Sequence, residues 1–332
     1  MRRRAAVLGS LALMLFGATG IAACGGADRQ SSALLERALA RPVASADVVV
    51  DLRVDADGAP GVEEPLRLRL SGPYRSGGGR RLPSFDWDLA FSGMGQNVSA
   101  GLVSTGDNAF VTFLGSAYEV GERKVARHNR RLARSARDRS RGSLEDLGVD
   151  PRGWIRRAES EGDDTVAGVE TTHLSGQIDV PRMLADLDQA KRGSRRGERH
   201  EFTQAERRRL AESVEGNRFE VWVAKGDETI RRLTAEVDLK APAGRRPAPR
   251  PRDRGGPLAA LAGAERAHIE LSIELSDVGG EQRIQAPANP RPLAELGRAL
   301  EGMGRRGAMG GPGGPTAGAA GNLTGPQLLV VD

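Results

Sequence analysis

The sequence predicts an α+β domain built around an antiparallel sheet. About nine segments alternate apolar and polar residues with period two, the pattern of strands that bury one face. Helical spacing is confined to the start and middle of the chain, which separates it from the regular βαβ alternation of a parallel sheet. One wet face and one packed face also suit antiparallel pairing, because parallel sheets are normally covered on both sides.

The N-terminus sets the compartment. Arg2, Arg3 and Arg4 precede an apolar run from Ala5 to Phe16, and Ile21-Ala22-Ala23-Cys24 follows. A positive patch, a short apolar stretch and small residues at a cut describe a secretory signal. The last four residues resemble the bacterial lipobox, so residues 1–23 are expected to be removed and acyl chains such as palmitate carried by Cys24. Two chains, at about 0.8 kcal/mol per buried methylene, anchor stably. A spanning helix fits less well: it needs about 20 mainly apolar residues, and Gly9, Ser10, Gly17, Thr19 and Gly20 interrupt this run. Cys24 is the only cysteine in 332 residues, which excludes a disulfide and a cysteine-based metal site. The expected location is the extracytoplasmic face of the cell membrane. Removal of Arg2, Arg3 and Arg4 lowers the formal charge from +5 to +2, so the high pI reports arginine usage rather than a cationic field.

Residues 24–33 read as a tether. Leu34, Leu35, Ala38 and Leu39 then give a short amphipathic helix ending near Pro42. Strands follow from the alternation of Val48, Val50, Leu52 and Val54; of Leu66, Leu68 and Leu70; and of Phe85, Trp87, Leu89 and Phe91. Further strands are predicted near 96–104, 107–114 and 116–120, separated by turn residues. The basic stretch 121–141 favours a helix or a mobile loop, and 143–155 suggests short helical turns around Asp150-Pro151. A strand from Glu170 to Val180 leads to a helix from Pro181 to Ala190, with proline in its first turn. Thr203 and Glu206 have the capping-box spacing of another helix start. Phe219, Val221 and Val223, the Lys225-Gly226-Asp227 turn, and Leu233 to Leu239 form a hairpin. A Pro/Arg-rich insertion spans 241–257, and Ala267 to Leu275 is the cleanest strand of all. The folded domain is expected over 34–301. The Gly-rich tail 302–332 has too little apolar bulk to fold and is expected to be disordered.

Val166-Ala167-Gly168, Thr171, Gly176 and Ile178-Asp179 are similar to a signature of actinobacterial LppX/LprG-type lipoproteins, which share the architecture of the carrier LolA. Phe219 to Val223 and Ile230 to Leu233 resemble that family's next hairpin. The resemblance covers 34–285 and implies a curved antiparallel sheet, a half-barrel, with helices on its concave side and an apolar cavity between them. It implies a lipid or glycolipid as cargo, the membrane as partner through the acyl anchor, and an envelope transporter as a further partner. No cofactor or metal is implied.

The cavity candidates are Phe85, Trp87, Leu89, Leu102, Phe113, Leu174 and Leu271. A lipid site needs apolar surface beyond what a compact core consumes, since burial is driven by area removed from water at about 25 cal/mol per Å². A period-two stripe fits a cavity wall and a filled core alike, so two functions stay open: a lipid carrier, or a structural or sensory envelope lipoprotein with the same fold and a filled core. Trp222 is out of phase with its neighbours and is expected to pack under a helix. Enzyme chemistry finds no footing. His128, His173, His200 and His268 lack zinc-protease spacing, Ser175-Gly176 lacks a nucleophile elbow, and Gly77-Gly78-Gly79-Arg80 lacks a phosphate-loop ending. The basic stretch has no interleaved aromatics for nucleic acid; it reads as a solvated segment first, with contact to anionic headgroups as the sharper alternative.

Overall fold

The computed structural model describes residues 24–59, 62–135, 154–180, 182, 212–240 and 264–299. The expected signal peptide, most of the turns expected over 143–155, the helices expected after Pro181 and Thr203, the 241–257 insertion and the tail from 302 lie outside these residues.

Helix α1 (Cys24–Ala40) opens the described chain. It begins ten residues before the apolar spacing predicts and takes in the segment expected as a tether. Ser31, Leu35, Ala38 and Leu39 form its buried face, and Pro42, which disfavours helix in the residue before it, ends it. The strands follow: β1 (Ser45–Asp57), β2 (Leu66–Arg75), β3 (Ser84–Gly93), β4 (Gln96–Thr105), β5 (Ala109–Phe113) and β6 (Ser116–Glu119). Helix α2 (Glu122–Ser135) settles the basic stretch as helical over those residues. Then come β7 (Ile155–Val166), β8 (Val169–Ile178), β9 (Val214–Ala224), β10 (Ile230–Lys240), β11 (Arg266–Ser276) and β12 (Arg291–Pro292). A short helix, 293–299, is α3.

All twelve strands form one open sheet in the order β12-β6-β5-β4-β3-β2-β1-β11-β10-β9-β8-β7, antiparallel throughout except where β12 meets β6. The fold is the α+β half-barrel that the alternation and the resemblance lead one to expect. The chain lays down β1 to β6 outward in one direction, then returns through β11 beside β1, so the long strands 1 and 11 are central. β7 was absent from the sequence-based expectation. Glu159, Glu161, Asp163 and Asp164 are exposed along it, and two register irregularities interrupt its pairing with β8. Charge and bulges on an edge strand blunt edge-to-edge association, and they erase the alternation by which strands are recognised.

Curvature is built in at two glycines. Gly72 and Gly93 both have φ of +142°, a region that L side chains rarely enter. A Cβ on Gly72 would lie 2.0 Å from the carbonyl oxygen of Asp86, and one on Gly93 would lie 2.5 Å from a Leu66 methyl. Adjacent backbones therefore approach more closely than any other residue permits, and the Gly72-Pro73 pair interrupts the regular β2–β3 ladder between Ser71 and Tyr74.

Gly72→Ala is expected to destabilise the protein by about 2–4 kcal/mol, since it adds a forbidden backbone conformation to a backbone clash. Chemical denaturation of the variant checks this; a loss under about 0.5 kcal/mol would show that the sheet bends without that glycine.

Candidate functional site

The register places most apolar side chains of the strands on a single face. Leu174, Val221, Leu233, Ile273, Val50, Leu70, Leu89, Ala100 and Phe113 are successive cross-strand partners from β8 to β5. A second row, Phe219, Ala235, Leu271, Leu52, Leu68, Phe91 and Val98, runs beside it. Because side chains alternate across a strand, unbroken partnership keeps both rows on one side.

Three clusters cover parts of that face. Leu35, Ala38 and Leu39 of α1 pack on Leu174, Phe219, Val221, Val223 and Leu233. At the other flank, Val125 of α2 and Leu296 of α3 pack on Phe85, Leu102, Val111 and Tyr118. Asn129 pins α2 in place: its side chain accepts from the Leu82 N–H and donates to the Gly106 carbonyl, each at 2.8 Å. Ala59 and Val62, from the β1–β2 connection, fold back over Val54 and Leu66. Between these clusters, Val48, Val50, Leu68, Leu70, Leu271 and Leu275 belong to none of the three and are only half-buried. They form an apolar stripe over β11, β1 and β2.

The seven candidate residues all lie on this face but fall into different surroundings. Phe85 and Leu102 are buried, with Trp87, Leu89 and Phe113 half-buried around them, in the α2 cluster. Trp87 stacks on Phe85 at 4.2 Å between centroids, and its indole N–H is buried without a hydrogen-bond partner. Leu174, at 1% exposure, belongs to the α1 cluster on the far flank. Leu271 stands on the open stripe. Sequence reasoning marked Val48, Val50, Leu68, Leu70 and Leu275 as strand residues without singling them out. Only the register, which brings β11 beside β1, reveals them as one surface.

The opposite face is mainly polar, although the buried cross-strand pair Val103 and Phe110 lies on it. A row of Glu220, Thr234, Ser272, Asp51, Arg69, Ala90 and Ser99 crosses it, and ion pairs such as Asp51–Arg69 (2.8 Å) and Arg232–Glu274 (2.7 Å) tie neighbouring strands. His268 meets Asp238 at 2.8 Å, and that hydrogen bond holds its pKa above the ordinary histidine value. An open groove of about 550 Å³ lies on this side, lined by Asp51, Arg53, Arg67, Arg69, Asn97 and Glu270 among others. Charged and polar side chains mix there with Leu52, Leu68, Phe91 and Val98. Trp222 also lies here and not under a helix. It stacks on His173 at 4.3 Å, donates to Asp164 at 2.9 Å, and carries the Arg232 guanidinium over its ring at 5.4 Å. Charged partners on neighbouring strands satisfy the indole where an apolar cover could not. Among the described residues, no group of three His, Cys, Asp or Glu side chains could hold a metal ion, and no helix is long and apolar enough to cross a membrane.

No protein-family model matches the chain, and no curated protein matches it. Solved structures do. Lipoprotein LppX from Mycobacterium tuberculosis is 13% identical, with a TM-score of 0.38 over 78% of this chain and 100% of that one. LprF from Mycobacterium bovis is 13% identical, with a TM-score of 0.38 over 79% and 98%. A LolA-superfamily protein from Nitrosomonas europaea is 8% identical, with a TM-score of 0.21 over 76% and 94%.

Burial divides four of the candidate leucines into two pairs. Leu102→Trp and Leu174→Trp insert volume into packed clusters and are expected to cost about 1–3 kcal/mol each. Leu89→Trp and Leu271→Trp, at half-buried positions, should leave the melting temperature of the lipid-free protein unchanged. Thermal unfolding of the four variants checks the division, which fails if the two pairs lose the same stability.

Proposed function

We propose that this chain is a lipoprotein of the cell envelope, anchored through acylated Cys24 on the extracytoplasmic face of the membrane, that binds or transfers lipid or glycolipid without catalysis. The carrying observation is the half-buried stripe of Val48, Val50, Leu68, Leu70, Leu271 and Leu275, flanked by helix-covered clusters on the same face. An acyl chain laid there removes apolar surface from water on both partners, worth about 0.8 kcal/mol per methylene. A twelve-strand sheet supplies a long enough surface, and the α1 and α2 clusters wall it laterally. An envelope transporter that loads or unloads the stripe is the partner such a carrier needs.

A second reading, a structural or sensory envelope lipoprotein with a filled interior, draws support from the tight packing around Leu102 and Leu174. The two readings separate on binding. Under the carrier reading, Leu89→Trp and Leu271→Trp abolish or weaken binding of a fluorescent acyl lipid while the protein stays folded. Leu271 stands on the stripe and Leu89 borders it as the cross-strand partner of Leu70; saturable binding that is indifferent to both substitutions would remove the stripe as the site, and no binding by the unaltered protein would favour the filled interior.

The anchor is tested independently. Cys24→Ser removes the thiol that carries the diacylglycerol, so the variant should accumulate as an uncleaved precursor or in the soluble fraction. Processing and membrane retention like those of the unaltered protein would contradict lipidation.

A further inference from the structure

Among the described residues, one charged side chain, that of Arg231, is buried. The pairing of β10 with β9 shifts register between Ile230 and Arg232. Arg232 points to the polar face, where it meets Glu274, and Leu233 and Ile230 belong to the α1 cluster. The extra residue of the bulge, Arg231, is therefore turned to the apolar side with them, near the end of β11 that carries Leu275 and the start of β1 that precedes Val48.

Arg231 is 7% exposed, and its side chain is one-sidedly satisfied. Nη2 donates to Asp227 at 3.0 Å, while Nε and Nη1 are buried with no hydrogen-bond partner among the described residues. Asp227 meets only Nη2. Its other oxygen accepts from the backbone and the hydroxyl of Thr229, at 3.0 and 2.6 Å. The adjacent carboxylate, Glu228, is taken by Arg37 at 3.1 Å and Arg41 at 3.8 Å, both from the C-terminal end of α1 and its following residue. Arg231 is thus paired with Asp227 through Nη2 alone, and two further donors of its buried guanidinium lack a partner among the described residues. Buried donors are rarely left unmatched, and a charged one least of all. The planar guanidinium edge matches two oxygens of a carboxylate or phosphate.

We infer that Arg231 receives the anionic oxygens of an amphiphile whose chain lies along the stripe, so that the cargo is an anionic lipid held head-first at this end of the sheet. This rests on the lipid-binding reading and adds the charge and the direction of the ligand. The stripe supplies affinity for any acyl chain; Arg231 selects the ionised ones.

The test uses the purified full chain, a long-chain fatty acid above its ionisation range, the methyl ester of the same acid, and inorganic phosphate, each competing against a fluorescent lipid. The unaltered protein should bind the acid about tenfold or more tighter than the ester, the scale of one charge-assisted pair. Arg231→Gln should erase that preference, and Arg231→Lys should keep part of it. Equal affinity for acid and ester in the unaltered protein overturns the inference while leaving the carrier reading intact, and needs no variant to fold. Failure of both lipids to bind overturns the carrier reading and this inference together. Competition by phosphate at concentrations comparable to the acid would show an anion site independent of the chain and also overturn it.

Discussion

Keeping the apolar side chains of so wide a sheet on one face demands continuous register, and the rest of the structure depends on that constraint. A slip of one residue in any strand would turn its leucines to water. The cross-strand row from Leu174 to Phe113 shows the constraint met across nine strands. Its consequence is a surface wider than any of the three described helices, so α1 covers one flank, α2 and α3 the other, and the middle is left half-covered. The polar face answers with ion pairs that bridge neighbouring strands, which fixes the same register from the other side.

Curvature makes that surface a concavity. Gly72 and Gly93 let β2 and β3 approach more closely than side chains allow, and the connection through Ala59 and Val62 closes one end over Val54 and Leu66. At the other end the turn after β9 holds Asp227 and Glu228, with Arg231, Arg37 and Arg41 drawn to them. The stripe therefore runs from an apolar end to a charged one, an asymmetry that an amphiphile shares.

Much of this was legible in the sequence. Alternation at Val48–Val54, Leu66–Leu70, Phe85–Phe91 and Ala267–Leu275 identified the central strands, because each buries one face and period two is what that burial produces. The hairpin through Lys225-Gly226-Asp227 was legible for the same reason. β7 was not, since its acidic residues and register shifts obey the needs of an edge. The start of α1 at Cys24 was hidden by glycines and polar residues that carry little helical signal. The site was harder. Periodicity tells that Leu89, Leu102, Leu174 and Leu271 face inward, but not which lie under a helix; that requires knowing that β11 pairs with β1 and that the helices sit at the flanks. Trp222 and Arg231 needed the pairing itself, the first to meet His173 and Asp164 on the polar face, the second because a single bulge residue reverses the side on which an arginine would lie.

The central claim is that the half-covered stripe is a lipid-carrying surface and not an incompletely packed core. Native mass spectrometry of the protein purified from its host, without added lipid, reads this directly. The account predicts a population heavier than the acylated chain by the mass of a bound lipid, released by organic solvent without unfolding the protein irreversibly. A protein that carries only its covalent acyl chains, and gains no mass on incubation with lipid, would contradict it.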